Sequence, residues 1–258
     1  MWVKYCNKAW LRSGNYAIMM NNYSDACPDT ACTGVVKNRE RVECMLQRVI
    51  SLFAGLLLFG LGTVMTIKSN LGTAPWDVLH IGLANYLPFT IGQVSQMTGI
   101  LVIGLSGAMG IKPGWGTIAN MYFIGLFIDL FMESPLFPLP GNTAARLAML
   151  AGGVLVIGWG SFFYLSAALG AGPRDSFMVG AIEKSGWPLW KVRIAIEASV
   201  TLIGYFLGGP VGAGTIIIVF TLGPAIQLAF HVMGRRPEDI RHDGLFGVNE
   251  KKKERLRC

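Results

Sequence analysis

The chain repeats part of itself at an offset of 98 residues. The segment Leu71 to Asp77 (LGTAPWD) returns as Leu169 to Asp175 (LGAGPRD). When residues 48–132 are laid over 146–230 without a gap, 21 of 85 positions are identical, and nine of these are glycine. Chance matches between apolar stretches would scatter, but these cluster at Gly, Pro and Asp. A duplicated unit is typical of transporter folds, whose binding site lies between the halves.

The composition indicates that the repeated unit lies in a membrane. Apolar residues make up 52% of the chain and charged residues 14%, which is too apolar for an ordinary soluble domain. A helix needs about 20 mostly apolar residues to cross a bilayer. Six segments are long and apolar enough, at 47–67, 91–111, 115–133, 145–168, 189–208 and 213–233. A shorter helix in each half, at 74–87 or 172–185, is expected to be interfacial or re-entrant.

The basic residues predict the orientation of the chain. Lys and Arg precede the first span and follow the last, so both termini are expected in the cytoplasm. The net charge of +7 therefore reflects membrane topology and does not indicate nucleic-acid binding. With three spans in each half, the second half would have the opposite orientation in the membrane to the first. The sequence thus predicts an all-α membrane protein with six transmembrane helices in two inverted three-helix repeats.

Two flanking segments are expected to lie outside the membrane unit. Residues 1–44 are predicted to be a poorly ordered extension, residues 45–133 and 134–233 the two repeats, and residues 234–258 a basic cytoplasmic tail. The Cys27 and Cys32 pair has the wrong spacing for a zinc knuckle and no nearby His. No metal site and no cofactor are expected.

The residues of the repeat also carry a resemblance to a known family. Asn70 to Asp77 (NLGTAPWD), Lys112 to Thr117 (KPGWGT) and Leu169 to Asp175 (LGAGPRD) resemble the YczE family of bacterial integral membrane proteins, which is related to the YitT and YyaS proteins. The resemblance covers about residues 45–233. It implies a multi-pass protein of the bacterial cytoplasmic membrane, and it supplies no substrate or catalytic residue.

The two Pro-x-Asp elements allow two interpretations. Pro75 and Pro173 suit the first turn of a helix, where an Asp two residues later meets the positive end of the helix dipole. On this interpretation the elements are favourable helix starts. Alternatively, Asp77 and Asp175 line a polar path between the repeats, because carboxylates within a membrane are costly and usually functional. Their neighbours Trp76 and Arg174 make the two copies chemically unequal.

Two further features have both a structural and a functional interpretation. Glycines at the loops and at the third helix starts let backbones pack closely or expose N–H groups to a ligand. Glu197 pairs with Arg193 at i,i+4 spacing, or else carries a proton or binds substrate. The glycines are Gly72, Gly114, Gly116, Gly170, Gly212 and Gly214, and Thr117 and Thr215 follow them as candidate binding residues.

Two functions remain after these observations. The first is a transporter or permease for a small molecule or an ion, in which Asp77, Asp175 and Glu197 converge on one cavity. The second is a non-transporting accessory protein that scaffolds a partner enzyme, in which they are dispersed or paired. Because no nucleophile–base pair or metal-ligand cluster occurs, no enzyme is expected. The expected partners are the lipid bilayer, an unknown substrate and, as alternatives, a second copy or a membrane partner, with no nucleic acid.

Overall fold

The fold is known here from a computed structural model, which describes residues 34–111, 113–135, 138–170 and 172–234, with side chains from Met45 onward. This part of the chain is all helical, as predicted. Its eight helices are α1 Gly34–Lys68, α2 Pro75–Ala84, α3 Ile91–Ala108, α4 Trp115–Glu133, α5 Thr143–Ser166, α6 Pro173–Ser185, α7 Leu189–Phe206 and α8 Ala213–Val232.

The helices lie close to their predicted positions. All except α1 begin and end within three residues of the predicted bounds. Helix α1 begins at Gly34, so its helical backbone extends into the segment that was predicted to be an extension, although its apolar part starts only at Met45. The predictions for residues 1–33 and 235–258 fall outside the described residues.

Five helices of the described part are long and apolar enough to cross a membrane. They are Met45–Lys68 of α1, together with α3, α4, α5 and α8. Helix α7 has 18 residues, but Lys191, Arg193 and Glu197 make it more polar than these five. Large apolar side chains such as Leu101, Phe206 and Phe220 are exposed on the outer surface, which is expected where lipid replaces water.

The centre of the bundle is the crossing of α1 and α5. Close approach is possible because glycines face backbone across the crossing: Gly62 lies against Gly153, and Gly55 lies against Gly160. Small residues at crossings let membrane helices gain van der Waals contact that larger side chains would prevent. Helix α4 packs on α1 and α8 packs on α5, so each repeat contributes one helix to the crossing and one beside it.

The loop before each short helix contacts the other repeat. The N–H of Gly214 donates to the carbonyl of Leu71 over 2.7 Å, and the N–H of Gly116 donates to the carbonyl of Leu169 over 2.8 Å. These two hydrogen bonds join equivalent residues, because 116 and 214, like 71 and 169, differ by the repeat offset of 98. The two halves are therefore joined by reciprocal contacts, and both short helices begin next to that junction.

Candidate functional site

One cavity lies where the two short helices begin. It has a volume of about 220 Å³, and both Pro75 at the start of α2 and Pro173 at the start of α6 line it. The polar side chains around it come from both repeats. They include His80, Tyr164, Arg174, Asp175, Arg193 and Glu197.

Asp77 and Arg174 form a contact between the repeats. The Nη2 atom of Arg174 lies 3.8 Å from Oδ1 of Asp77, a distance at which attraction is strong but no short hydrogen bond is made. Asp77 is buried and is not among the residues that line the cavity, whereas Arg174 does line it. The Arg174 guanidinium also lies 5.0 Å from the centre of the Trp76 ring, a geometry that supports a cation–π interaction.

His80 extends this contact along the same face of α2. Its Nδ1 atom lies 3.5 Å from Oδ1 of Asp77, and its Nε2 atom lies 2.9 Å from Oγ1 of Thr98. A proton on Nδ1 would face the carboxylate, and Nε2 could then accept from the Thr98 hydroxyl. Helix α2 is not one of the five apolar spans. Burial lowers the pKa of His80 against the opposing effect of Asp77, which favours a neutral ring.

Asp175 has a neutral partner. The hydroxyl of Tyr164 on α5 donates to Oδ2 of Asp175 over 2.9 Å. Within the described part of the chain, the ion pairs of this region are formed by Asp77, His80, Arg174, Arg193 and Glu197. Asp175 is not in any of these pairs. The cavity therefore contains one carboxylate that is hydrogen-bonded to a phenol and is in none of these ion pairs, although the neighbouring Arg174 attracts it electrostatically.

Glu197 is paired along its own helix. The Nε atom of Arg193 donates to Oε1 of Glu197 over 3.0 Å, which is the predicted i,i+4 geometry. The Glu197 side chain is 25% exposed and lines the cavity. The pairing does not decide between the two interpretations, because a bonded carboxylate that still faces a cavity can also contact a ligand.

The remaining predicted residues lie at the junction of the halves. Gly72 and Gly170 have positive φ angles of 113° and 142°, a conformation that favours glycine. The hydroxyls of Thr117 and Thr215 accept from the N–H groups of Gly114 and Gly212. The N–H groups of Gly116 and Gly214 donate to the opposite loops, as described above. Thr215 also lines a second space between α7 and α8, whereas Thr117 lines neither space.

Three site residues were not predicted as binding residues from the sequence. His80, Thr98 and Tyr164 complete the polar contacts of Asp77 and Asp175. A signal for His80 was present, because residues at i and i+3 share one face of a helix and His80 follows Asp77 at that spacing. A tyrosine inside an apolar span is also a signal, because its buried hydroxyl needs a partner. The partner of Thr98 could be found only in the folded chain.

The described residues contain no group of three or more His, Cys, Asp or Glu side chains that could hold a metal ion.

Comparisons with known proteins identify relatives of the whole membrane part. Residues 46–231 match a family model described as a family of unknown function, DUF6198. The chain is 36% identical over 199 residues to the "Uncharacterized membrane protein YczE" of Bacillus subtilis, covering 73% of this chain and 92% of that protein. It is 34% identical over 188 residues to an uncharacterized protein of Haemophilus influenzae, covering 73% and 85%. The "Uncharacterized protein YyaS" of Bacillus subtilis matches at 24% identity over 183 residues, covering 70% and 91%.

No solved structure matches the chain significantly. The predicted resemblance to YczE is confirmed by these matches. The similarity to a membrane protein and the five apolar helices support a multi-pass membrane location.

Proposed function

We propose, from the premise that this chain belongs to the DUF6198 family, that it is a small secondary transporter or permease for a small molecule or an ion. One observation carries the proposal. The starts of α2 and α6, which are equivalent in the two repeats, line a single cavity together with Arg174, Asp175 and Glu197. Transporters with internal repeats place their substrate between the halves, beside helices that start or break at membrane depth.

The proposal includes six spans and inverted halves, with α7 as the sixth span. Its charges need not prevent this, because Arg193 and Glu197 pair with each other and Lys191 lies near the helix start, where it can reach the headgroups. The reciprocal hydrogen bonds of Gly116 and Gly214 support a pseudo-two-fold relation between the halves. With three spans in each half, this axis would lie in the membrane plane, and both termini would be cytoplasmic.

Reporter fusions test this topology. We expect fusions at Pro138 and Gly208 to report the outer face of the cytoplasmic membrane and fusions at Gly110 and Lys184 to report the cytoplasm. The basic residues of α6 and α7 give the reason, because cytoplasmic loops are rich in Lys and Arg. An alkaline phosphatase fusion that is active at Lys184 would contradict the inverted arrangement, since it would place the second short helix on the same face as the first.

The ion pairs suggest how the site would work. Arg174 of the second repeat contacts Asp77 of the first, so any motion of one repeat against the other changes this pair. A substrate that competes for Arg174, Asp175 or Glu197 would alter the balance between the resulting conformations, as alternating access requires. No reaction is assigned to the chain, and the charged residues are proposed to bind and release substrate.

Metabolite measurements test transport directly. We expect cells that lack the protein to differ from wild-type cells in the uptake or efflux of a small set of metabolites, and a plasmid copy should restore the wild-type pattern. Purified protein in liposomes should then move the same compounds across the bilayer. If deletion leaves uptake and efflux unchanged over the full metabolite set, and liposomes show no flux of the candidates, the transporter proposal fails.

A second function is favoured by a specific observation. Asp77, Asp175 and Glu197 each have a partner within the protein, namely Arg174, Tyr164 and Arg193. Internal pairing is what a non-transporting accessory protein, which supports a partner enzyme, would show. In that case, deletion should lower the abundance or activity of a membrane enzyme and leave metabolite gradients unchanged.

A further inference from the structure

A groove between α7 and α8 distinguishes the second repeat from the first. In the first repeat, the equivalent helices α3 and α4 pack against each other. Gly92 lies against the carbonyl of Gly125, and Gly99 lies against Met121. At the two positions equivalent to Gly92 and Gly99, the second repeat has Trp190 and Glu197. The second repeat therefore lacks the small residues on which close membrane-helix packing depends, and Glu197 lines the groove instead.

The groove is apolar with a single acidic residue. Its volume is about 570 Å³, which is within the range of about 300–1,000 Å³ that small-molecule sites occupy. Leu202, Val219 and Phe220 are among the residues that line it, and Glu197 is the one charged residue of the lining. It lies on the outer surface of the described bundle, where these apolar side chains are exposed.

The groove and the polar cavity are neighbours. Pro75 and Glu197 line both spaces, so the two spaces meet beside the start of α2. One end of this combined site is apolar, and the other contains Arg174 and Asp175. A ligand that fits both ends would need a polar head and an apolar tail.

The charges at the polar end favour a cationic head. Arg174 is opposed by Asp77 and Arg193 is opposed by Glu197. Asp175 is hydrogen-bonded to the neutral hydroxyl of Tyr164, and the neighbouring Arg174, which attracts it, is already paired with Asp77. With a neutral His80, the five charged side chains sum to one negative charge, and Asp77 and Asp175 also meet the positive ends of the α2 and α6 dipoles. A cation of the ligand would be attracted to Asp175 and to Glu197, which stands at the entrance from the groove.

We infer that the substrate class of this site is a cationic amphiphile, that is, a molecule with an ammonium head and one alkyl tail. This inference rests on the proposed transport function, because it names the substrate of that same site. The head would lie in the cavity near Asp175, and the tail would lie in the groove between α7 and α8. Entry would then be from the side, through the lipid-facing surface.

Photolabelling tests the inference. The protein is placed in nanodiscs of zwitterionic lipid and exposed to a dodecylammonium probe that carries a diazirine near the end of its tail. We expect labelled peptides from α7 and α8 around Leu202 and Phe220. Dodecyltrimethylammonium should compete at least fivefold better than dodecyl sulfate, which has the same tail and the opposite charge. Tetramethylammonium, which has no tail, should compete weakly.

Two substitutions on one helix supply the matched comparison. Ala198→Trp fills the groove and should reduce labelling at least fivefold, because Ala198 lines it. Ala195→Trp is the control, since Ala195 is exposed on α7 and does not line the groove. Glu197→Gln should weaken the competition by dodecyltrimethylammonium. Competition by dodecyl sulfate should not rise to the level that the cation shows. Thermal unfolding of each variant shows whether it is folded.

Three results would overturn the inference. The first is labelling spread over the whole lipid-facing surface without competition. The second is equal competition by the two dodecyl compounds, and the third is an equal effect of the two tryptophan variants. Flux through liposomes is measured separately. If the probe binds but no flux is found, the transport proposal fails and the amphiphile site stands. If another compound is transported and the probe does not bind, the amphiphile site fails and the transport proposal stands.

Discussion

Replacing Asp77 with Asn is expected to reduce transport at least tenfold while leaving folded protein in the membrane. The amide has nearly the same shape as the carboxylate, but it cannot carry a charge or a proton. Arg174, 3.8 Å away, would lose its counter-ion, and the contact between the repeats would weaken. Because 34% of the Arg174 side chain is exposed, water in the cavity can solvate it. The loss of stability should therefore be well below the about 3–5 kcal/mol of a fully buried broken pair.

The measurement is the initial rate of flux per molecule of protein, with abundance in the membrane determined by immunoblot. Asp129→Asn is the matched control. Asp129 accepts hydrogen bonds from Thr90 Oγ1 and from the N–H of Gly92 at the start of α3, and it does not line the cavity. The amide oxygen can still accept from the N–H of Gly92, and the amide NH2 can donate to Thr90 Oγ1, so flux should remain near the wild-type value. If Asp77→Asn only lowers abundance and the rate per molecule is unchanged, the carboxylate serves the fold alone.

The helices could be predicted because a membrane makes sequence patterns simple to interpret. Runs of about 20 apolar residues mark spans, and helix starts carried recognisable residues. Thr90 and Gln93 form reciprocal hydrogen bonds at the start of α3, and Asn142 caps α5. The offset of 98 residues also located both short helices, since their Pro-x-Asp starts are identical in the two copies. The early start of α1 was missed, because residues 34–44 are polar and have no apolar run.

The partners of the charged residues could be predicted only in part. The Arg193–Glu197 pair follows from helical spacing, and the structure contains it. The contact of Arg174 with Asp77 joins residues about 100 positions apart, and nothing in either segment encodes it. The same holds for Tyr164 and Asp175, whose contact depends on how the end of α5 meets the start of α6. Local spacing therefore predicts pairs on one helix, whereas pairs between helices require the packing.

The groove between α7 and α8 lies where the sequences of the two repeats differ. The identical positions predicted that the halves share a fold. At two positions where α3 packs on α4 through Gly92 and Gly99, α7 has Trp190 and Glu197, and Glu197 lines the open groove. This difference in packing could not be predicted before the structure showed that both glycines face α4.

Replacing Gly62 with Ala is expected to destabilise the protein by about 1–3 kcal/mol, as overpacking does in other well-packed interiors. A Cβ atom at this position would lie 2.7 Å from the carbonyl oxygen of Gly153 and 2.8 Å from the backbone N of Ile157. Backbone atoms cannot move aside as the end of a flexible side chain can. Helices α1 and α5 would have to separate, and every contact along the crossing would weaken.

A glycine-to-alanine substitution at an exposed helix position separates the effect of overpacking from the effect of helix propensity. Gly104 of α3 is exposed, and a Cβ atom there would meet nothing within 4 Å. Gly104→Ala should therefore stabilise by up to about 1 kcal/mol, because alanine restricts the unfolded chain. Thermal unfolding in detergent, read by intrinsic fluorescence, measures both variants. If Gly62→Ala proves as stable as Gly104→Ala, the α1–α5 crossing is looser than its glycines indicate. The two repeats would then not be held together mainly at this crossing, and the reciprocal loop contacts of Gly116 and Gly214 would have to supply that role.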